Sequence, residues 1–303
     1  ILFNFYAFFI LVTILLSLFF IRDLITPLKQ LSKLTLLERQ KIRTQTRLKY
    51  PKRKDEVGIL SNEIQKMSKD LKLQINQIEK FTTDVAHELK NPLTAIKSSS
   101  EFLLKKNISE ENKHKVLKNF NKEVDRMNRL ISDISNFSRT LSEIESENFE
   151  LLDLNNFFSM FQKNYLGNSK NVDLIFSLDK KNKLKTLLNK DKLLQVIINL
   201  IENSISMSNK NQKILIKSNK LNTKTVQIKI YDQGKGINLE DKDRIFNRFY
   251  TDRKENRENH SGLGLSISRE IIKSFNGTIE LTKSDNFDFR GACFMIKLPL
   301  RIS

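Results

Sequence analysis

Residues 1–21, ILFNFYAFFILVTILLSLFFI, contain no charged side chain. Wound as a helix at ~1.5 Å per residue, such a run reaches about 31 Å, close to the ~30 Å hydrocarbon thickness of a bilayer. A buried core helix is the alternative, but one of this length would normally carry a polar stripe. The hydrophobic core of a signal peptide is shorter and lacks a basic flank on this side. Residues 1–22 are therefore expected to cross a membrane. Eleven basic residues follow between Arg22 and Lys54. Positive charge beside a span marks the cytoplasmic face, so residues 23–303 are expected in the cytoplasm and the span in the inner (cell) membrane. The single cysteine, Cys293, excludes an intrachain disulfide and suits a reducing compartment. The chain opens on Ile1 rather than Met, so an upstream segment, with an earlier span and an external sensor, is expected to precede it.

The formal charge of +18 raises the question of nucleic acid. Lysine is spread over the whole chain, and the densest basic cluster lies next to the span, where anionic lipid headgroups attract it. No recognition helix, zinc-ligand spacing or stacking-aromatic motif accompanies the charge, so membrane lipid and not nucleic acid is the expected partner of the basic flank.

Beyond the span, Pro27 and a short stripe at Leu28, Leu31, Leu34 and Leu37 give way to a polar stretch, and Pro51 marks a connector. Asp55-Glu56-Val57-Gly58 opens a second helix. From Leu60 the apolar positions step by three or four through Ile64, Met67, Leu71, Ile75, Ile78, Phe81, Val85, Leu89, Leu93 and Ile96 to Leu103. This is a coiled-coil seam and predicts one long helix. A polar break at Lys105-Lys106-Asn107 and an N-cap at Ser109 introduce another helix with Leu117, Phe120, Val124, Met127, Ile131, Ile134, Ser138 and Leu141 in the same rhythm. The hairpin so formed has too little core alone, and a four-helix bundle from two chains is the expected solution, hence a homodimer. After about residue 145 the texture changes. Alternating runs at Val172, Leu174 and Phe176, at 214–216, 226–231, 278–282 and 294–298 read as antiparallel strands. Residues 191–208 and 265–275 read as helices, an α+β layered domain.

His87 lies about 200° around the helix from Val85, away from the seam, with Asn91 one turn further on the same face. A lone surface histidine is unremarkable. Pro92 is not, because a proline inside a helix removes a backbone hydrogen bond and costs ~3 kcal/mol. A local rule broken one turn from an exposed imidazole points to function. Six of the eight glycines fall at or after residue 234, including two Gly-x-Gly pairs that offer close-approach backbone for phosphate.

The run His87-Glu88-Leu89-Lys90-Asn91-Pro92-Leu93-Thr94 resembles the phospho-acceptor box of sensor histidine kinases. Further boxes follow in that family's order. Asn199-Leu200-Ile201-Glu202-Asn203 resembles the N box, and Asp232-Gln233-Gly234-Lys235-Gly236-Ile237 the first glycine box. Ile245-Phe246-Asn247-Arg248-Phe249-Tyr250 resembles the F box, Ser261-Gly262-Leu263-Gly264-Leu265 the second glycine box, and Gly291-Ala292-Cys293-Phe294 the last, structural one. The wording is similar to the alphaproteobacterial ChvG/ExoS-type envelope-sensing kinases. The resemblance implies ATP and Mg²⁺ as cofactors and Mg-ATP-dependent autophosphorylation of His87, a protein-histidine kinase activity. The phosphate then passes to an aspartate of a cytoplasmic response regulator. His87 is the implied nucleophile, since a neutral imidazole keeps a free lone pair near pH 7. Glu88 is the implied proton acceptor. Asn91 is the implied water-positioning residue for a phosphatase reaction on the phosphorylated regulator. Asn203 is the implied Mg²⁺ ligand through its oxygen, and Asn199 lies near the phosphates. Asp232 reads the adenine amino group. Gly234, Gly236, Ile237, Arg248, Gly262, Leu263, Gly264 and Leu265 complete the implied nucleotide site, with residues 251–259 as its lid. The family often has a lysine where this chain has Ser206, so one usual phosphate contact is missing. His114 and His260 read as surface residues and Cys293 as core.

The span and the amphipathic pair resemble a membrane helix with a HAMP signal relay. The expected fold is therefore multidomain: a transmembrane helix (1–22), a helical HAMP-like relay (23–74), an α-helical hairpin forming the dimeric four-helix bundle with the phospho-acceptor (75–143), and an α+β two-layer sandwich ATP-binding domain of the GHKL/Bergerat type (146–303). Two other functions compete. A kinase-dead scaffold is favoured by Ser206 and opposed by the intact His87, Glu88, Asn203 and Asp232. A nucleic-acid binder is opposed by the absence of a reading motif. Because the phospho-acceptor and ATP sites sit on different domains, residues 142–148 are expected to act as a hinge.

Overall fold

The computed structural model of this chain describes residues 2–40, 50–105, 108–146, 149–165, 173–207, 212–250 and 261–301. The expected lid at 251–259, His260, Val172, Lys106, Asn107 and the last two residues of the expected hinge, 147–148, lie outside the described residues.

The chain divides into two units, Ile1–Thr83 and Asp84–Ser303. In the first, helix α1 (Leu2–Phe20) passes through a π-helical turn (Ile21–Ile25) into α2 (Thr26–Gln40). The apolar residues of α1 are exposed along its length, so this helix has no protein core to serve, and it is long and apolar enough to cross a membrane. Below it, Pro27 and Leu31 of α2 and Val57 are buried. Arg53 bonds both Asp23, at 3.0 Å, and Asp55. Asp55 also accepts the Gly58 backbone N–H at 3.0 Å, which caps the start of α3. The Arg53 guanidinium holds the Asp55 carboxyl below its ordinary value.

Helix α3 (Glu56–Leu103) is a single 48-residue helix with Pro92 inside it, so the predicted long helix is present and the segment expected to open at residues 55–58 forms its first turn. Ser109 caps α4 (Glu110–Ser146), accepting the Asn112 N–H at 3.4 Å. The segment read as a hinge is still helical as far as Ser146.

The rest of the second unit is a mixed sheet with helices packed on it. A small antiparallel pair, β1 (Glu150–Asp153) with β3 (Lys185–Leu188), stands apart. The main sheet has five strands in the order β2-β4-β5-β7-β6: β2 (Asp173–Leu178), β4 (Lys213–Lys220), β5 (Thr225–Tyr231), β7 (Cys293–Pro299) and β6 (Thr278–Thr282). Helices α5 (Leu154–Tyr165), α6 (Lys190–Met207) and α7 (Gly264–Ser274) pack against it. The α+β layered expectation holds, with one correction. The β2–β4 pair is parallel, because β3 and α6 form a crossover between them that returns the chain in the same direction. Between helices and sheet lie Leu193, Val196, Ile197, Leu200 and Ile201 of α6, Ile271 and Ile272 of α7, and Ile228, Ile230, Phe294 and Ile296 of the central strands, all but excluded from solvent. Burying a side chain of this size contributes ~1.5–3 kcal/mol, which is what sets the face each element presents. A second cluster, Leu215, Tyr231, Phe289 and Cys293, closes the sheet beside the β5 exit.

Candidate functional site

The apolar face of α6 points into the sheet, so its other face is left for polar work. Asn189 starts the helix by accepting the Lys192 N–H at 3.0 Å. From there Gln195, Asn199, Glu202, Asn203 and Ser206 line a cleft of about 800 Å³. That volume suits a small-molecule ligand of nucleotide size. Asn199 and Asn203 are one turn apart, as their spacing requires. Asn199 uses its amide to hold the opposite wall, donating to the Gly264 carbonyl at 3.3 Å and to Ser268 Oγ at 3.5 Å. Ser206 turns its hydroxyl back to the Asn203 carbonyl at 2.6 Å.

That opposite wall is the start of α7, whose first residues Gly264 and Leu265, with Ser261, Gly262 and Leu263 before them, line the same cleft. The backbone N–H groups of a helix's first turn have no partner within the helix, and the dipole leaves that end positive. Gly262 takes φ +74°, and its carbonyl accepts the N–H of Phe249, itself at φ +60°. A Cβ on Gly262 would lie 2.7 Å from the Phe249 carbonyl carbon, so only glycine fits this turn. Gly236, Ile237 and Asn238, after β5, form the third side.

Asp232 directly follows β5 and is 1% exposed. Its Oδ1 accepts the backbone N–H groups of Gly234 and Ala292, each at 2.9 Å. Burial pushes the Asp232 carboxyl up from its ordinary value, and the two N–H groups work against that rise. Gly291 donates its N–H to the Asp232 carbonyl at 3.1 Å, so the last glycine box clasps the first. Among the described residues, the cleft lining includes Asn199, Asn203, Gly236, Ile237, Gly262, Leu263, Gly264 and Leu265 but not Asp232, Gly234 or Arg248. Asp232 and Gly234 precede the lining residue Gly236 in the same box. The Arg248 guanidinium lies 5.2 Å over the ring of Phe137 on α4.

Helix α4 supplies the fourth side, which the sequence reading missed. Asn128, Arg129, Ser132, Asp133 and Asn136 face the cleft. Leu130, Phe137 and Thr140 are buried, forming a face of α4 that adjoins the predicted seam. The helix is held there by Lys192–Glu143 at 2.5 Å, by Gln195 donating to Thr140 at 3.4 Å, and by Arg248 on Phe137. The sequence signal available was that Leu130 and Phe137 continue the three- and four-residue steps of Met127, Ile134 and Leu141.

His87 and Asn91 are exposed on one face of α3, and Pro92 is buried. Glu88 lies 3.6 Å from Arg126 of α4, which also stands 3.8 Å from Glu123. His87, Glu88 and Asn91 thus lie on the helical hairpin and are not part of the cleft lining. His114 is exposed and Cys293 is buried in the core, as their surroundings in the sequence suggested. Among the described residues no group of three His, Cys, Asp or Glu side chains is placed to hold a metal. A cation bound with nucleotide would draw mainly on phosphate and water oxygens, as Mg²⁺ commonly does. Asn203 and Glu202 offer side-chain oxygens in the same cleft.

Residues 77–143 match the family described as His Kinase A (phospho-acceptor) domain. Residues 188–302 match that described as histidine kinase-, DNA gyrase B-, and HSP90-like ATPase. The chain belongs to the sensor histidine kinases. It is 36% identical over 309 residues to sensor protein ChvG of Rhizobium meliloti (strain 1021), in an alignment covering 95% of this chain and 52% of that protein. It is equally similar, 36% over 302 residues, to sensor protein ChvG of Agrobacterium fabrum, covering 95% and 50%. The chain spans about half the length of these curated relatives. Among solved structures, histidine kinase ThkA in complex with response regulator protein TrrA superposes with a TM-score of 0.52 at 25% identity, covering 82% of this chain and 68% of that one.

Proposed function

We propose that this sensor histidine kinase chain binds Mg-ATP in the cleft between α6, α7 and the β5 exit, transfers the γ-phosphoryl group to His87, and passes it to an aspartate of a cytoplasmic response regulator. The observation that carries the reading is the convergence of Asn199, Asn203, the 236–238 turn and the α7 N-terminus on one cleft of nucleotide size. Asp232, fixed by two backbone N–H groups, is the acceptor for the adenine amino group, and Gly234 gives it room. Gly262, Leu263, Gly264 and Leu265 offer backbone N–H groups to phosphate. Asn203 is the Mg²⁺ ligand, and the ion when bound neutralises charge developing on the phosphate oxygens.

In the transfer, one nitrogen of His87 forms a bond to the γ-phosphorus as the bond from that phosphorus to its bridging oxygen breaks. ADP leaves with that electron pair. The proton on the other imidazole nitrogen passes to Glu88, whose carboxylate is steadied by Arg126. Asn91, exposed on the same face one turn away, orients water in the reverse, phosphatase direction. Catalysis of this kind is positioning and electrostatics. The exposed face of α3 and the cleft are separate sites, so the ATP-binding domain moves relative to the hairpin, with residues 142–148 as its pivot.

The domain limits that go with this reading are a membrane span at 1–22, a HAMP-like relay at 23–74, a phospho-acceptor hairpin at 75–143 that dimerises as a four-helix bundle, and an ATP-binding domain at 146–303. The chain is anchored in the cell membrane with residues 23–303 cytoplasmic, its basic flank against lipid headgroups. The test is incubation of the purified chain with γ-labelled ATP and Mg²⁺. An acid-labile, base-stable label is the expected result. An acid-stable label, or nucleotide binding without any label, would overturn it.

A further inference from the structure

We propose that Arg129 of α4 is the cationic ligand for the nucleotide's polyphosphate, the role left open where Ser206 stands. The inference rests on the ATP-binding reading of the cleft. Among the described residues lining the cleft, Arg129 is the one cation, and two lining residues, Asp133 and Glu202, are acidic. A triphosphate brought into such a cleft meets two carboxylates. The partial charge of the α7 N-terminus, about half an elementary charge, does not offset them. Ser206 lines the same cleft but is uncharged, and its hydroxyl is committed to the Asn203 carbonyl. The cation missing at Ser206 is supplied from α4.

Three contacts fix α4 in this position. Lys192 with Glu143, Gln195 with Thr140 and Arg248 over Phe137 set the register of the helix against the ATP-binding domain. With Leu130 and Phe137 turned inward and buried, the turns carrying Asn128, Arg129, Ser132 and Asp133 face the cleft. A guanidinium binds phosphate oxygens bidentately and keeps its charge at any pH the protein meets, which suits it to this task. The polyphosphate affinity of the cleft therefore depends on α4 being docked, and nucleotide binding is coupled to the arrangement of the hairpin and the ATP-binding domain. The cations of the lid sequence, Arg253, Lys254 and Arg257, lie outside the described residues and are the competing source of charge.

The experiment is equilibrium binding of Mg-ATP and of adenosine to the 303-residue chain in detergent micelles, comparing wild type with Arg129→Gln, Arg129→Lys and the double variant Arg129→Gln/Ser206→Lys. Loss of a charge-assisted bond predicts that Arg129→Gln raises the ATP Kd about tenfold while adenosine binding is unchanged. Arg129→Lys, and the lysine restored on α6 in the double variant, recover most of the loss. An unchanged ATP Kd in Arg129→Gln would overturn the inference and assign the charge to the lid. An equal loss for ATP and adenosine would also overturn it, reducing Arg129 to a structural part of the wall. A wild-type chain that binds no ATP would instead remove the nucleotide reading on which the proposal rests.

Discussion

Replacing Gly291 with alanine should damage the nucleotide site from behind. A Cβ built on Gly291 would overlap Asp232 Oδ1 outright and lie 2.7 Å from the Gly234 nitrogen and 2.8 Å from the Asp232 carbonyl oxygen. Carbon needs about 3.5 Å or more from such atoms, so the carboxylate must move by roughly 1 Å or more. It cannot do so freely, because Oδ1 is pinned by the N–H groups of Gly234 and Ala292 at 2.9 Å each. Overpacking of this kind costs ~1–3 kcal/mol, and leaving one buried N–H without its acceptor adds ~1–3 kcal/mol. The sum, about 2–6 kcal/mol, corresponds to a fall of roughly 5 °C or more in the melting midpoint of a domain this size. Displacing Asp232 would also remove the adenine bond proposed for it. Hydrogen bonds to charged groups contribute ~1.5–3 kcal/mol, so the ATP Kd should rise by roughly 10- to 150-fold. The control is Gly236→Ala, where the nearest atoms lie at 3.7 Å and only the left-handed φ of +76° is unfavourable, costing about 1–2 kcal/mol. Differential scanning fluorimetry and ATP titration on the three proteins decide the matter. A Gly291→Ala protein that melts and binds ATP like wild type would refute the reasoning about the clasp between the first and last glycine boxes.

Asp232→Asn should separate folding from recognition. Burial raises the Asp232 pKa above its unfolded value of 3.8, so its favourable contribution is complete below that value and is lost as pH rises through the folded pKa. At pH 7 the asparagine protein, whose side-chain oxygen can still accept both N–H bonds, should melt no lower than wild type, with any advantage vanishing as the pH is lowered through the acid range. Its ATP Kd should rise about tenfold or more, and a less stable variant with normal ATP affinity would contradict this. Asp285 behaves oppositely. Lys229 at 2.7 Å, and then the Tyr231 hydroxyl at 2.7 Å, lower its pKa from 3.8 to about 2. Its stabilisation is present above 3.8 and lost as pH falls toward about 2. Because Asp285 is exposed, solvent screening limits the effect to ~1 kcal/mol, so Asp285→Asn should be slightly destabilised at pH 7 and indistinguishable from wild type in denaturant titrations near pH 2.

The site was legible in the sequence where its chemistry is local. The Asn199/Asn203 pair needs only helical spacing, the Gly-x-Gly turns need only close-approach backbone, and His87 needs only to be off the seam of α3. Each falls where the spacing put it. What was not legible is set by contacts distant in sequence. The parallel pairing of β2 with β4 depends on a crossover through β3 and α6, which alternation within either strand cannot reveal. On α4 the apolar rhythm ran through Val124, Met127, Ile131 and Ile134, yet Ile131 is 51% exposed while Phe137 is fully buried. Phe137 is covered by Arg248, more than 100 residues away, and the sequence, where Leu130 and Phe137 step by three and four with Met127, Ile134 and Leu141, does not show which of two overlapping stripes another domain buries. The same contact explains why Arg248 stacks on α4 rather than lining the cleft, and why four of the cleft's polar residues outside Arg129 come from a helix that the motifs do not mention. Asp232 could be read as a nucleotide contact from its box. Its place outside the cleft lining, held by backbone N–H groups from both strands' ends, required the fold.

The most direct measurement compares wild type and His87→Gln for incorporation of label from γ-labelled Mg-ATP, with ATP affinity determined on the same samples. His87 is exposed and outside the cleft lining, so its replacement should leave the ATP Kd unchanged and abolish the acid-labile label. Equal labelling of the two proteins at equal ATP affinity would contradict the assignment of His87 as the phosphoryl acceptor.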